Sequence, residues 1–138
     1  MFLVVDSNRV FSALLSKGKV FSVFLLNNVL NELSFISPEF LFFEIGKNLD
    51  IIVERSKLPP EELADVFRFI KNEIDFVPFK DFNMYGEEAD KLAPHNKDVQ
   101  YFALALSYGD AAIWSDEKAF KKQSKVRVFN TDEVIDSY

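Results

Sequence analysis

The chain of 138 residues contains no cysteine, one histidine, one tryptophan, four glycines and five prolines. Without cysteine it cannot form disulfides, zinc-thiolate sites or a cysteine nucleophile, and nothing in it indicates an oxidising compartment. The single histidine, His95, lies in a polar stretch, which argues against a Ser-His catalytic triad. We therefore expect an intracellular, cytoplasmic protein whose chemistry does not depend on sulfur or imidazole.

Long uninterrupted hydrophobic runs are also missing. The N-terminal run Phe2–Val5 has no basic residues before it and stops at Asp6, and the later run from Val20 to Leu30 is interrupted by two asparagines. Neither run is typical of a signal peptide or a membrane span, so we expect a soluble protein with no membrane partner. A hydrophobic content of 49% excludes disorder. With no repeat or linker in the sequence, residues 1–138 are predicted to form one domain.

The chain has no excess of positive charge. Sixteen basic residues stand against 22 acidic ones, for a net charge of −6. Taken alone, this balance argues against a nucleic-acid partner. Cations bound to clustered acids would reverse the field locally, however, so the global charge does not decide the question.

Hydrophobic periodicity and turn residues predict strands that alternate with helices. The predicted strands are Phe2–Val5, Leu33–Ile36, Ala111–Trp114, Val126–Phe129 and one within Ile74–Phe79 that is closed by Pro78. The predicted helices are Asn8–Leu15, Val20–Leu30, one from Pro38 through Glu44 towards Arg55, one from Pro59-Pro60 through Ile70, Glu87–Leu92, Asp98–Leu106, Asp116–Lys122 and a turn at Thr131–Ser137. This alternation predicts an α/β fold, a three-layer α/β/α sandwich with a central parallel sheet of about five strands.

Four acidic residues occur where solubility does not require them. Asp6 ends a buried strand, Glu44 follows four consecutive apolar residues, Asp98 opens an apolar helix, and Asp116 follows another buried strand. Ligands of open α/β sheets bind at the carboxyl ends of the strands, so we predict that these four side chains meet there. Crowded carboxylates repel one another unless a cation is present, and hard ions such as Mg²⁺ or Mn²⁺ prefer oxygen ligands.

Each acid also has an ordinary structural explanation. Asp6 and Asp116 are placed to cap the helices that follow, and Asp98 lies in a first helical turn where a negative charge is favourable. Glu44 is the hardest to explain in this way, because its apolar neighbours imply burial. The metal-site hypothesis therefore depends on the four residues as a set.

The motifs Val5-Asp6-Ser7-Asn8, Phe43-Glu44, Lys97-Asp98-Val99 and Ile113-Trp114-Ser115-Asp116 occur in an order that resembles the PIN domain family. The similarity covers essentially the whole chain and is closest to the prokaryotic toxin type, the VapC-like ribonucleases of toxin-antitoxin pairs. One departure is that Ser115 stands before Asp116, where some relatives carry a further Asn or Asp.

The resemblance implies a Mg²⁺- or Mn²⁺-dependent endoribonuclease that hydrolyses single-stranded RNA, with Asp6, Glu44, Asp98 and Asp116 as the catalytic, metal-binding quartet. Asp6 and Asp98 are implied as direct ligands, and Asn8 and Ser115 as supporting residues. An antitoxin protein is the partner expected of this type. Among the basic residues nearest the quartet in sequence, Lys47, Lys97 and Lys118 are predicted to contact the substrate.

Two other metal-using α/β classes fit less well. A haloacid-dehalogenase-like phosphatase needs an Asp where this chain has Asn8, and a response-regulator receiver needs an Asp after its third strand, where this chain has Val77-Pro78-Phe79. The main alternative is a non-catalytic PIN-like binding or scaffold module. Sixteen phenylalanines suggest surplus apolar surface. On that basis we predict a homodimer through Phe40–Phe43 or the Leu63–Ile70 helix.

Overall fold

A computed structural model describes all 138 residues and shows a five-stranded parallel sheet with helices on both faces. The strands are β1 (Phe2–Val5), β2 (Ser34–Pro38), β3 (Ile74–Val77), β4 (Ala112–Trp114) and β5 (Val128–Phe129). The helices are α1 (Ser7–Ser16), α2 (Gly18–Leu30), α3 (Phe40–Lys47), α4 (Leu49–Arg55), α5 (Pro60–Glu73), α6 (Gly86–Leu92), α7 (Val99–Tyr108) and α8 (Thr131–Asp136). The predicted three-layer α/β/α architecture is confirmed.

The strand order is β3-β2-β1-β4-β5, so the chain builds the sheet outward from β1 first on one side and then on the other. The switch between the two directions occurs at the carboxyl end of β1, which is where open parallel sheets bind ligands. Asp6 directly follows that end of the strand.

Alternate residues of the central strands pack into two different cores, as the period of a strand requires. Leu3, Val5 and Trp114 contribute to a core of 20 buried residues shared with α1–α5 and α8. Val4 and Ile113 contribute to a core of 14 buried residues shared with α7. Burial on both faces explains why these strands read as continuous apolar runs.

The single helix predicted from Pro38 to Arg55 is wrong in two places. Pro38 is the last residue of β2, because its fixed φ suits an extended strand and it disfavours a helical Ser37 before it. Asn48 then separates α3 from α4, and its side-chain amide donates a hydrogen bond to the carbonyl of Glu44 at 2.8 Å. This bond satisfies a carbonyl that the helix leaves free at its end.

The third strand ends where it was predicted to end: β3 stops at Val77, before Pro78, which has no N–H to donate to the sheet. Two other predicted elements are too long. β5 contains only Val128 and Phe129. The helix predicted over Asp116–Lys122 is a short 3₁₀ helix over Lys118–Lys122, and this leaves the two acids before it in a loop.

No helix is by itself long and apolar enough to cross a membrane. The pair α1 and α2 reaches that length and apolarity only together, across a bend of 105°.

Candidate active site

Asp6 is the innermost polar side chain at the carboxyl edge of the sheet. It is 1% exposed, and the Ser115 hydroxyl donates a hydrogen bond to its Oδ2 at 2.8 Å. Its backbone N–H donates to the Trp114 carbonyl, which ties the end of β1 to the end of β4. Asp6 occupies the N-cap position of α1, where burial raises the pKa of its carboxyl and the backbone N–H of Asn8 lowers that pKa less strongly. The capping explanation therefore still applies to this residue beside the metal-site hypothesis.

Asp98 is the second buried acid. It is 3% exposed and precedes α7, without a side-chain capping bond. Its Oδ2 is buried and has no hydrogen-bond partner. A buried carboxylate oxygen without a partner costs free energy, so this position calls for a function beyond stability.

The negative charges of Asp6 and Asp98 repel each other. The pKa of Asp6 is raised to about 6, chiefly by burial and further by the charge of Asp98, while the Ser115 hydrogen bond acts in the opposite direction. The pKa of Asp98 is also raised to about 6, chiefly by burial and then by the charges of Glu117 and Glu44. Both shifts show that a negative charge at this edge is unfavourable without a compensating cation.

Glu44 reaches the same edge from α3. It is partly buried, as predicted, and the Tyr101 hydroxyl on α7 donates a hydrogen bond to its Oε1. Tyr101 is 1% exposed, and its burial together with the nearby charge of Glu44 raises the pKa of its hydroxyl. Tyr101 thus stays protonated and fixes Glu44. The sequence did not indicate this role of Tyr101, because a tyrosine in an apolar helix is typical of a core residue.

Asp116 has a different set of partners. Its carboxylate pairs with Arg9, and accepts hydrogen bonds from the Thr131 backbone N–H at 2.6 Å and the Thr131 hydroxyl at 2.7 Å. Its charge is not among the leading influences on the pKa of either Asp6 or Asp98. The geometry gives Asp116 a structural role that joins α1 to the start of α8.

Glu117, the next residue, faces the acids. Its charge raises the pKa of Asp98, and its Oε2 is buried without a hydrogen-bond partner. Its backbone N–H donates to the Ser115 hydroxyl at 3.1 Å, the same hydroxyl that holds Asp6. The sequence contains a signal for this placement of Glu117. A serine such as Ser115 often accepts a hydrogen bond from the backbone N–H two residues on, and this bond turns the chain there.

Two cavities lie beside this edge. The first, of about 600 Å³, is almost entirely polar and includes Arg9, Asp116 and the predicted Lys118. The second, of about 480 Å³, lies between α1, α3 and α4. Its lining includes Glu44 and the predicted Asn8, Lys47 and Lys97.

The PIN domain family model matches residues 4–134 of this chain. The chain belongs to the PIN domain family. The resemblance seen in the acidic motifs is thereby confirmed, and membership of this family supports nuclease activity in general terms.

Among solved structures, this PIN domain is similar to a chain of VapBC2 from Rickettsia felis, crystallised bound to a DNA fragment from its promoter. The TM-score is 0.67 at 15% sequence identity, and the match covers 94% of this chain and 98% of that one. At this identity the likeness concerns the fold alone. Comparison with curated proteins gives no significant match.

The acids of this PIN domain do not by themselves form a complete set of ligands for a divalent ion. No three carboxylate or imidazole groups lie close enough together to bind one ion between them. Mg²⁺, however, takes one or two carboxylates and keeps several waters. Asp6 and Asp98 are two oxygen donors with raised pKa values, and the unpartnered Oδ2 of Asp98 is a free ligand atom. The residues fit a hydrated ion held by this pair.

Proposed function

We propose that this PIN domain is a Mg²⁺- or Mn²⁺-dependent endoribonuclease that hydrolyses phosphodiester bonds of single-stranded RNA. The observation that carries the proposal is the pair of buried acids, Asp6 and Asp98, whose negative charges repel each other at the carboxyl edge of the sheet. Their arrangement destabilises the protein without a cation, and it places oxygen ligands where an open parallel sheet binds its ligands.

In this proposal, Asp6 and Asp98 hold the ion, and Ser115 fixes the orientation of Asp6. A divalent ion bound there would supply a water of lowered pKa as nucleophile and would offset charge on the phosphate. Glu44, held by the Tyr101 hydroxyl, would add a further carboxylate at the same edge of the sheet. Asn8, which lines the adjacent cavity, would support the metal-binding acids.

Two neighbouring residues, Asp116 and Glu117, are candidates for the fourth acid of the quartet. Asp116, predicted from the sequence, stays a proposal, but its carboxylate already forms an ion pair with Arg9 and accepts hydrogen bonds from Thr131. Glu117 has the buried, unpartnered oxygen and the coupling to Asp98. These contacts favour Glu117 as the acid that completes the site.

Basic side chains on either side of the acids are proposed to draw in the RNA backbone. Lys47 and Lys97 line one flanking cavity and Lys118 lines the other. Contacts between lysine and phosphate release counterions, so binding should weaken steeply as salt is raised.

The test of this function is a cleavage assay on three labelled substrates: single-stranded RNA, an RNA hairpin and single-stranded DNA. We expect cleavage of single-stranded RNA in Mg²⁺ or Mn²⁺, loss of cleavage in EDTA, and recovery when the metal is added back. Cleavage that continues unchanged in EDTA, or cleavage confined to DNA, would contradict the proposal.

The same toxin-type resemblance supports an antitoxin protein as a partner. The surplus of phenylalanine and the frequency of symmetric dimers support a homodimer. The predicted Leu63–Ile70 surface stays a proposal. Leu63, Val66 and Ile70 pack into the core, but Leu63, Ala64 and Phe67 also line an almost wholly apolar groove between α4 and α5. Leu49 and Val53 are about half exposed along this groove. Exposed apolar grooves of this kind are typical of protein contacts. We place the homodimer contact at this groove.

Light scattering on purified protein tests the homodimer. The wild type should have the mass of a dimer at high concentration, and Val53→Glu should reduce it to a monomer, because a carboxylate in the groove would have to be desolvated. The matched control is Val29→Glu, which introduces the same charge at an exposed valine of α2 and should leave the dimer intact. A monomeric wild type would remove the proposal.

The alternative of a non-catalytic scaffold has no observation in its favour. Exposed apolar side chains are equally expected of an enzyme with a protein partner, whereas a scaffold gives no reason to bury two repelling carboxylates.

A further inference from the structure

We infer that the cavity between α1, α3 and α4 is a nucleotide subsite in which the exposed ring of Phe43 stacks on a base of the single-stranded RNA. The inference rests on the proposed function. It adds on which side of the acids the RNA strand lies, and which protein group holds one of its bases. Glu44, the residue after Phe43, lines the same cavity, so a nucleotide placed there adjoins the acid cluster.

Phe43 has the geometry of a stacking platform. Its side chain is 64% exposed, although it is a large aromatic residue in a short helix. The ring of Phe40 stacks behind it at 5.6 Å with an angle of 20° between the planes. Phe43 is therefore supported on one side, while much of its surface faces the cavity and the solvent. Bases of single strands stack on such rings regardless of their sequence.

The charges around this cavity favour a polyanion. Lys47, Arg55 and Lys97 all line it, and none of them forms an ion pair within the chain. Glu44 is the only acid of the lining, so the cavity is locally positive in a protein of net charge −6. Free cations beside an aromatic ring are the usual components of a site for single-stranded nucleic acid.

The other surface cavities lack this combination. In the first cavity, Arg9, Lys17, Lys19 and Lys121 are each already paired with a carboxylate. Lys118 has no such ion pair, but no aromatic residue lines that cavity. The groove between α4 and α5 contains no charged residue at all, which suits an apolar protein segment better than RNA. The cavity at Phe43 is the one of the three that joins an exposed aromatic ring, unpaired cations and one of the site acids.

Binding can be measured apart from cleavage by fluorescence anisotropy of a labelled single-stranded oligoribonucleotide in EDTA at low salt. Phe43→Ala should weaken binding about tenfold, as expected for the loss of one stacked base. Phe43→Trp should bind at least as tightly as the wild type, because the stacking surface is kept. The matched control is Phe79→Ala, which removes another exposed ring that lies outside the cavity and should leave binding unchanged.

Equal affinity of Phe43→Ala and the wild type would overturn the subsite, as would equal losses in Phe43→Ala and Phe79→Ala. A Phe43→Ala protein that keeps its RNA affinity but becomes monomeric would show that the ring contacts a second copy instead, and this too would overturn it. The nuclease proposal fails separately. A wild type that binds RNA through Phe43 but cuts none in Mn²⁺ would support the subsite and contradict the activity.

Discussion

Asp98→Asn is expected to lower the rate of RNA cleavage by at least about 100-fold while leaving the metal-free fold as stable as the wild type or more stable. The loss of activity follows because the substitution removes a charged ligand from a site whose ion supplies several kcal/mol of transition-state stabilisation. Single-turnover cleavage with saturating enzyme separates this loss from any change in RNA binding.

The stability part of this prediction depends on pH. A pKa raised from 3.8 to about 6 means that the folded state holds the Asp98 proton more tightly than the unfolded state. The stability contributed by this group is therefore present below about pH 3.8, falls as the pH rises towards 6, and is fully lost above that. Asparagine carries no such charge. Asp98→Asn should therefore have a higher free energy of unfolding than the wild type in EDTA at pH 7.5, and this difference should disappear near pH 3.5.

Denaturant unfolding at the two pH values measures this difference directly. Added Mg²⁺ should stabilise the wild type and not the variant, because only a protein that binds the ion is stabilised by it. A large destabilisation of the metal-free variant at pH 7.5 would show that Asp98 serves the fold, and the metal-site interpretation of this residue would then be wrong.

Glu117→Gln and Asp116→Asn are expected to separate the two neighbouring acids by function. Glu117→Gln should lower cleavage by about 10- to 100-fold with little loss of stability, since it removes a charge that faces Asp98 and has no partner. Asp116→Asn should keep most of the activity and lower the free energy of unfolding by about 1–2 kcal/mol, because it leaves Arg9 without its carboxylate.

The two variants serve as controls for each other, since each removes one negative charge within two consecutive residues. Activity and denaturant midpoint measured on both proteins decide the assignment. If Asp116→Asn abolishes cleavage at unchanged stability and Glu117→Gln does not, the quartet predicted from the sequence is right and the assignment from the contacts is wrong.

The fold could be predicted from the sequence because the local patterns of the sequence agree with the tertiary structure. Alternation of buried strands with helices was enough to predict the parallel sheet, and the abrupt end of Phe2–Val5 at an acid was enough to place Asp6 at the edge that binds ligands. The burial of Glu44 followed from its apolar neighbours. Each of these inferences uses residues that lie within a few positions of one another.

What the sequence did not predict depends on contacts between distant residues. Asp116 and Arg9 are 107 positions apart, and Tyr101 and Glu44 are 57 apart, so no periodicity relates either pair. The choice between Asp116 and Glu117 depends on the turn after β4, where the Ser115 hydroxyl bonds to the next residue but one and directs Glu117 towards the site. A break at Asn48, which separates α3 from α4, likewise depends on a side-chain bond that competes with helix continuation.

The central claim, that buried acids at the end of β1 form a metal-dependent ribonuclease site, is tested most directly by one assay. Wild type and Asp6→Asn, purified in parallel, are incubated with end-labelled single-stranded RNA in Mn²⁺ or in EDTA. We expect cleavage only by the wild type in Mn²⁺, with Asp6→Asn reduced to the level of the chelated enzyme. Equal cleavage by all four samples would show that the activity comes from a contaminant, and no cleavage of any RNA by the wild type would contradict the account.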